Sequence, residues 1–138
     1  MNLVLRNILA VIIGCIVGSI VNMGLITLGH SVTPIPNVDP NDMVAMKEVM
    51  PSLAPKFFIF PFLGHALGTL VGAFIAGMIS KTATMRSALI VGVFFLIGGI
   101  TINIMLQGPT WFTIVDIALA YIPMAWIGGK IAQRMAQK

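Results

Sequence analysis

The chain has 138 residues, 58% hydrophobic and 9% charged, and its eight Lys and Arg against four Asp and Glu give a formal charge of +4. Ordinary soluble domains carry charge on about a quarter of their residues, so the composition argues against a soluble domain and predicts a polytopic membrane protein. The basic residues stand singly at the ends of apolar runs, which suits membrane topology and argues against nucleic acid as a partner.

The first apolar run, Leu3 to Leu28, is predicted to be a membrane span, with Arg6 near one end and Gly14 and Gly18 spaced as a GxxxG pair that can seat another helix. Cys15 is the sole cysteine, which rules out an intrachain disulfide, a CxxC redox pair and a thiolate metal cluster. Arg6 and the run up to Cys15 have a passing likeness to a lipoprotein signal. The apolar sequence continues to Leu28, however, beyond a signal h-region, so an uncleaved span is expected.

Residues 30–56 form a polar, proline-rich connection. Within it, Asp39-Pro40-Asn41-Asp42 reads as an N-cap, a proline at the first helical position and an acid in the first turn. A short interfacial helix is predicted over about Pro40 to Met50, with Met43, Met46 and Met50 on one side covering the bundle. His30, in a Gly-His-Ser sequence, is expected in a solvated loop.

Phe57 to Ser80 is the stretch on which the chain is organised. It has no Lys, Arg, Asp or Glu over 24 residues, enough to cross a hydrocarbon layer of ~30 Å as a helix. Gly64, Gly68, Gly72, Ala76 and Ser80 recur every fourth residue, so one face lets another backbone approach closely. Pro61 is expected to bend its first turns. A basic turn, Lys81 to Arg86, leads to a third span, Ser87 to Leu106. Gln107-Gly108-Pro109-Thr110 then makes a turn so short that spans three and four must be neighbours. The fourth span is predicted over Trp111 to Ile127, ended or loosened by Gly128 and Gly129 and followed by a basic tail.

The predicted fold is therefore all-α: an integral membrane four-helix antiparallel bundle in one domain, with spans at about 3–28, 57–80, 87–106 and 111–127 and an outer loop at 30–56. Arg6, Lys81, Arg86, Lys130, Arg134 and Lys138 fall on one side and Lys47 and Lys56 on the other. That asymmetry predicts a bacterial-type inner membrane with both termini cytoplasmic.

Each span contributes one polar residue at a similar depth: Asn22, His65, Asn103 and Asp116. An ionised carboxylate in apolar surroundings costs at least ~2.5 kcal/mol on insertion scales, so Asp116 is expected to turn inward, find donors, stay protonated, or reach interfacial water near the outer surface. His65 is the natural partner, with Asn22, Asn103, Thr69 and Thr113 adding hydrogen bonds. Such a centre would serve a proton relay or a ligand, or would simply fix helix register. His30 and His65 with Asp116 or a methionine could in principle hold a metal or haem, but no spacing singles out such a set, and no metal or cofactor is expected. GxSxG, HExxH and P-loop motifs are absent from the sequence, and no enzymatic activity is expected.

Length and layout invite comparison with small multidrug transporters and with thiol-oxidising quinone reductases. The former place a Glu in the first span, where Leu3 to Leu28 has none, and the latter need cysteine pairs, so neither resemblance holds. The first functional expectation is a non-enzymatic accessory or scaffold subunit in the lipid bilayer, assembling as a homo-oligomer or within a larger membrane complex through its Gly and Ala faces. The alternative is an oligomeric transporter or channel for a proton, ion or small molecule that uses His65 and Asp116. A membrane-embedded redox or lipid-handling protein is a third.

Overall fold

A computed structural model describes residues 2–137, and these are almost entirely helical. The helices are α1 (Leu3–Val32), α2 (Met43–Val49), α3 (Ile59–Ile79), α4 (Thr84–Leu106), α5 (Thr110–Leu119) and α6 (Ile122–Ala136). Short 3₁₀ turns at Met50–Ser52 and Pro55–Phe58 join α2 to α3. Four helical stretches, Leu3–Val32, Pro55–Ile79, Thr84–Leu106 and Thr110–Ala136, are long and apolar enough to cross a membrane.

Helix α3 is central and touches α1, α4 and α6, whereas α1 leans on α3 and only lightly on α4. Glycine sets the α1–α3 contact. A Cβ on Gly14 would lie 2.5 Å from the Gly72 carbonyl oxygen, one on Gly18 would lie 2.6 Å from that of Gly68, and one on Gly72 would lie 2.6 Å from that of Gly14. The two small-residue faces thus meet each other within one chain, backbone against backbone, as close helix packing in lipid requires. Gly64 abuts Asn22 and Gly29 abuts Phe60 further along the same seam, and Ala76 meets Gly14. At the end bearing the chain termini, Arg6 Nε donates to the carbonyl of Ile79 at 2.6 Å and Ser80 Oγ donates to Asn7 Oδ1 at 2.8 Å. Carbonyls in the last turn of a helix lack intrahelical partners, so Arg6 caps α3.

Several boundaries differ from the sequence reading, each for a local reason. Helix α1 continues to Val32 and takes in His30, because the first proline after it is Pro34 and the chain leaves the helix at Thr33, just before that proline. Helix α2 starts at Met43 with Asp42 as its N-cap, not Asp39: Asp42 Oδ1 accepts from the amides of Val44 and Ala45, while Asp39 Oδ1 accepts from Asn41 in the preceding turn. Pro61 is the third residue of α3, a first-turn position whose amide needs no intrahelical acceptor, and α3 runs unbroken to Ile79.

The fourth stretch differs most. It is two helices, interrupted at Ala120 and Tyr121, where Tyr121 adopts φ −115° and ψ −80°. Pro123 follows two residues later; it has no amide proton and its ring crowds the carbonyl four residues earlier, that of Leu119, where α5 stops. Gly128 and Gly129 do not end α6, which runs to Ala136. They are contact positions instead: a Cβ on Gly128 would lie 2.5 Å from the Leu70 carbonyl oxygen, and one on Gly129 would meet Met85 Sδ at 2.8 Å.

Two apolar clusters fill the molecule. Ala73, Ala76, Ala88, Val91 and Ala125 are fully buried and pack the half nearer the termini. At the opposite end Met46 and Met50 from the connection pack on Phe58 and Phe112.

Candidate functional site

Asp116 is the seventh residue of α5 and wholly buried, at 0% exposure. Burial of a carboxyl group is tolerable only when its oxygens are met, and here hydrogen-bond partners arrive from three directions. His65 Nδ1 lies 2.8 Å from Asp116 Oδ1, Asn103 Nδ2 donates to Oδ2 at 3.2 Å, and the Tyr121 hydroxyl donates to Oδ2 at 2.8 Å. A second tier holds these groups in place. Thr113 Oγ1 donates to Asn103 Oδ1 at 3.0 Å, Asn103 Nδ2 also donates to the Gly99 carbonyl at 2.9 Å, and Thr69 Oγ1 donates to the His65 carbonyl at 2.7 Å.

Each position follows from a local feature of the chain. Gln107 takes a left-handed conformation, φ 51°, and with Gly108 and Pro109 turns α4 back into α5, setting Asn103 beside Thr113 and Asp116. The break before Pro123 frees Tyr121 from the helical path, so that its hydroxyl reaches back to the acid five residues earlier. Gly99 makes room for it, since a Cβ there would collide with the Tyr121 hydroxyl. The Tyr121 ring lies beside the His65 ring with centroids 5.8 Å apart.

Of the four residues read from the sequence, the structure joins His65, Asn103 and Asp116 in one hydrogen-bonded group. Asn22 stays outside it. Its Oδ1 is buried with no hydrogen-bond partner and sits against Gly64 instead. Tyr121 belongs to the group and was not singled out by sequence reasoning; the available signal was Pro123, which implies a broken helix and a redirected side chain nearby. Gly14, Gly18, Gly64, Gly68, Gly72 and Ala76 all lie in the α1–α3 seam.

His65 keeps 12% of its side chain exposed and forms part of the wall of a cavity of about 300 Å³ at the end opposite the termini. Helix α2 and its methionines roof this cavity: Met43, Met46 and Met50 face it, with Met23, Phe60 and Ile102 among the apolar walls. His30 also lines it, no longer a loop residue. With Nδ1 engaged by Asp116, Nε2 is the nitrogen of His65 left for a ligand or a proton. The pair can hold one proton between Nδ1 and Oδ1, or a second on Nε2 as an imidazolium beside a carboxylate. Among the described residues no three His, Cys, Asp or Glu side chains gather as a metal-ligand set.

No family model, curated protein or solved structure matches the chain. The reading of this site therefore rests on its own geometry.

Proposed function

We propose that the chain is a small multi-pass protein of a bacterial-type inner membrane, an antiparallel four-span bundle with both termini cytoplasmic. In this reading it is not an enzyme: it binds a small solute in the cavity at its outer end and couples that binding to a proton on the His65–Asp116 pair, as the working part of a carrier. The observation that carries the proposal is a fully enclosed acid whose partly exposed partner, His65, forms part of a cavity wall. Intramembrane ionisable groups are costly and tend to mark ion or proton pathways. A register-fixing network would need no cavity beside it.

The accessory-subunit reading rested on small-residue faces free to assemble with other helices. Gly14, Gly18, Gly68 and Gly72 face one another inside the chain, so those faces no longer favour it. Ala73, Ala76, Ala88 and Ala125 are fully buried between the helices of the half nearer the termini, which they pack closely. Transport then requires relative helix movement or a second copy, and the exposed apolar sides of α1 and α4 offer surface for lipid or for that copy.

Asp116→Asn and His65→Gln, compared with deletion of the whole chain in the cell that makes it, test the proposal across a range of external pH and of lipophilic weak-acid and cation stress. Asn at 116 can donate to His65 Nδ1 while accepting from Asn103 and Tyr121, so the network stays paired and the fold survives while the charge is gone. Both variants are expected at wild-type levels in the membrane with the behaviour of the deletion. Wild-type behaviour in both, alongside deletion-like behaviour of Gly72→Leu, would transfer the function to helix packing and restore the accessory reading.

A further inference from the structure

The cavity has the opposite charge character from the acid behind it. Its titratable lining residues are His30 from α1, Lys56 from the turn before α3, and His65 from α3; among the described residues no Asp or Glu lines it. Asp116 itself does not line the cavity: His65 and Asn103, both on its wall, stand between, and the acid's oxygens are already met by His65, Asn103 and Tyr121. The nearby acids are engaged elsewhere or face solvent: Asp42 caps α2, Asp39 holds Asn41, and Glu48 is exposed. Lys56 is exposed, its ammonium lies 5.0 Å from the centroid of the Phe57 ring, and it forms no ion pair with a described acid. The remaining wall is mainly apolar and rich in methionine, a lining that adapts to irregular apolar bodies, with Thr27, Thr33, Asn41 and Asn103 as its neutral polar members.

We propose that this cavity takes an amphipathic organic anion, specifically a lipophilic carboxylic acid whose head group meets His65 Nε2 and the positive field of Lys56 and His30 while its hydrocarbon part lies along Met23, Met43 and Phe60. The inference rests on the proposed solute-binding role and names the class of solute. It also gives the proton a source. A neutral acid arriving from the lipid transfers its proton from the carboxyl oxygen to Nε2, leaving a carboxylate against an imidazolium that Asp116 stabilises from the other side. No other reactant is needed. A quaternary ammonium would find no carboxylate among the described lining residues and three basic side chains, so the cavity selects against cations.

The full-length protein in lipid nanodiscs, titrated calorimetrically with octanoate, octanol and octyltrimethylammonium against empty nanodiscs, separates the possibilities by head group at constant tail. Octanoate is expected to bind saturably and at least about tenfold more tightly than the other two. Lys56→Gln, at an exposed position where folding is not at stake, is expected to weaken octanoate severalfold and leave octanol unchanged, and His65→Gln to abolish the preference for octanoate. Equal or tighter binding of octanol or octyltrimethylammonium would overturn the anion assignment while leaving a solute-binding cavity in place. Saturable binding of none of the three would overturn both readings, and octanoate binding unaffected by Lys56→Gln would remove the head group from the place assigned to it.

Discussion

The two ends of this molecule are built from the same helices by opposite means. Near the termini, α1, α3, α4 and α6 touch through glycine and alanine, with backbones in contact and little side chain between them. At the other end Phe58 and Phe112 pack with Met46 and Met50, large side chains in place of glycine and alanine, and beside them lies the cavity with His65 on its wall. Backbone-to-backbone packing of small residues leaves no room between the helices for solvent or ligand. A closely packed half therefore adjoins a half that contains a cavity.

The greatest expected effect tests the closely packed half. Gly72→Leu puts a side chain into the Gly14 carbonyl, where neither backbone can yield, and should cost at or above the ~1–3 kcal/mol typical of overpacking. Gly24, on the same α1 helix, has nothing within 4 Å of its Cβ position, so Gly24→Leu is expected within ~0.5 kcal/mol of wild type. Thermal unfolding in a single detergent compares them directly. Similar losses for both would mean that the α1–α3 seam does not hold the bundle together.

An intermediate effect is expected at the cavity end. Tyr121→Phe removes one of three hydrogen-bond partners of Asp116 and leaves the ring in place beside His65. Hydrogen bonds between membrane helices average ~0.6 kcal/mol, and those to a charged acceptor in general reach ~1.5–3 kcal/mol. A loss between these bounds, with the thermal contribution of Gly72 untouched, would show that the acid is ionised and leans on its donors. A loss below the smaller figure would show Asp116 carrying its own proton, with His65 Nδ1 as acceptor.

The sequence revealed the closely packed half more fully than the cavity. Four-residue spacing of Gly64, Gly68 and Gly72 marks a close-contact face whatever lies opposite, though only the structure shows that its partner is Gly14 and Gly18 of the same chain. The pairing of His65 with Asp116 was legible because two titratable groups in an apolar chain have few alternatives. Tyr121 was not legible, since its role depends on a break in the fourth stretch and a tyrosine in an intact helix would have pointed elsewhere. Asp39 and Asp42 are both competent N-caps for α2, and the turn around Asn41, whose amide Asp39 holds, leaves the cap to Asp42. Gly29-His30-Ser31 reads as a turn after the first span, whereas Gly29 stays helical and its missing side chain serves contact with Phe60.

Asn22 gives the smallest expected effect and bears on the boundary between the two halves. Its depth and polarity suggested membership of the acid's network, yet its Oδ1 is buried without a partner and Gly64 and Gly68 press on it from α3. A buried acceptor left unpaired contributes no hydrogen bond and carries its desolvation cost, so removing it relieves as much as it loses. Asn22→Ala also keeps the Cβ that packs against Gly68. The expected outcome is a change within ~0.5 kcal/mol in thermal unfolding, with octanoate binding equal to wild type. A loss comparable to Tyr121→Phe would place Asn22 in a network extending from Asp116 into the glycine seam, and the division between a closely packed half and a binding half would then fall one helical turn nearer the termini.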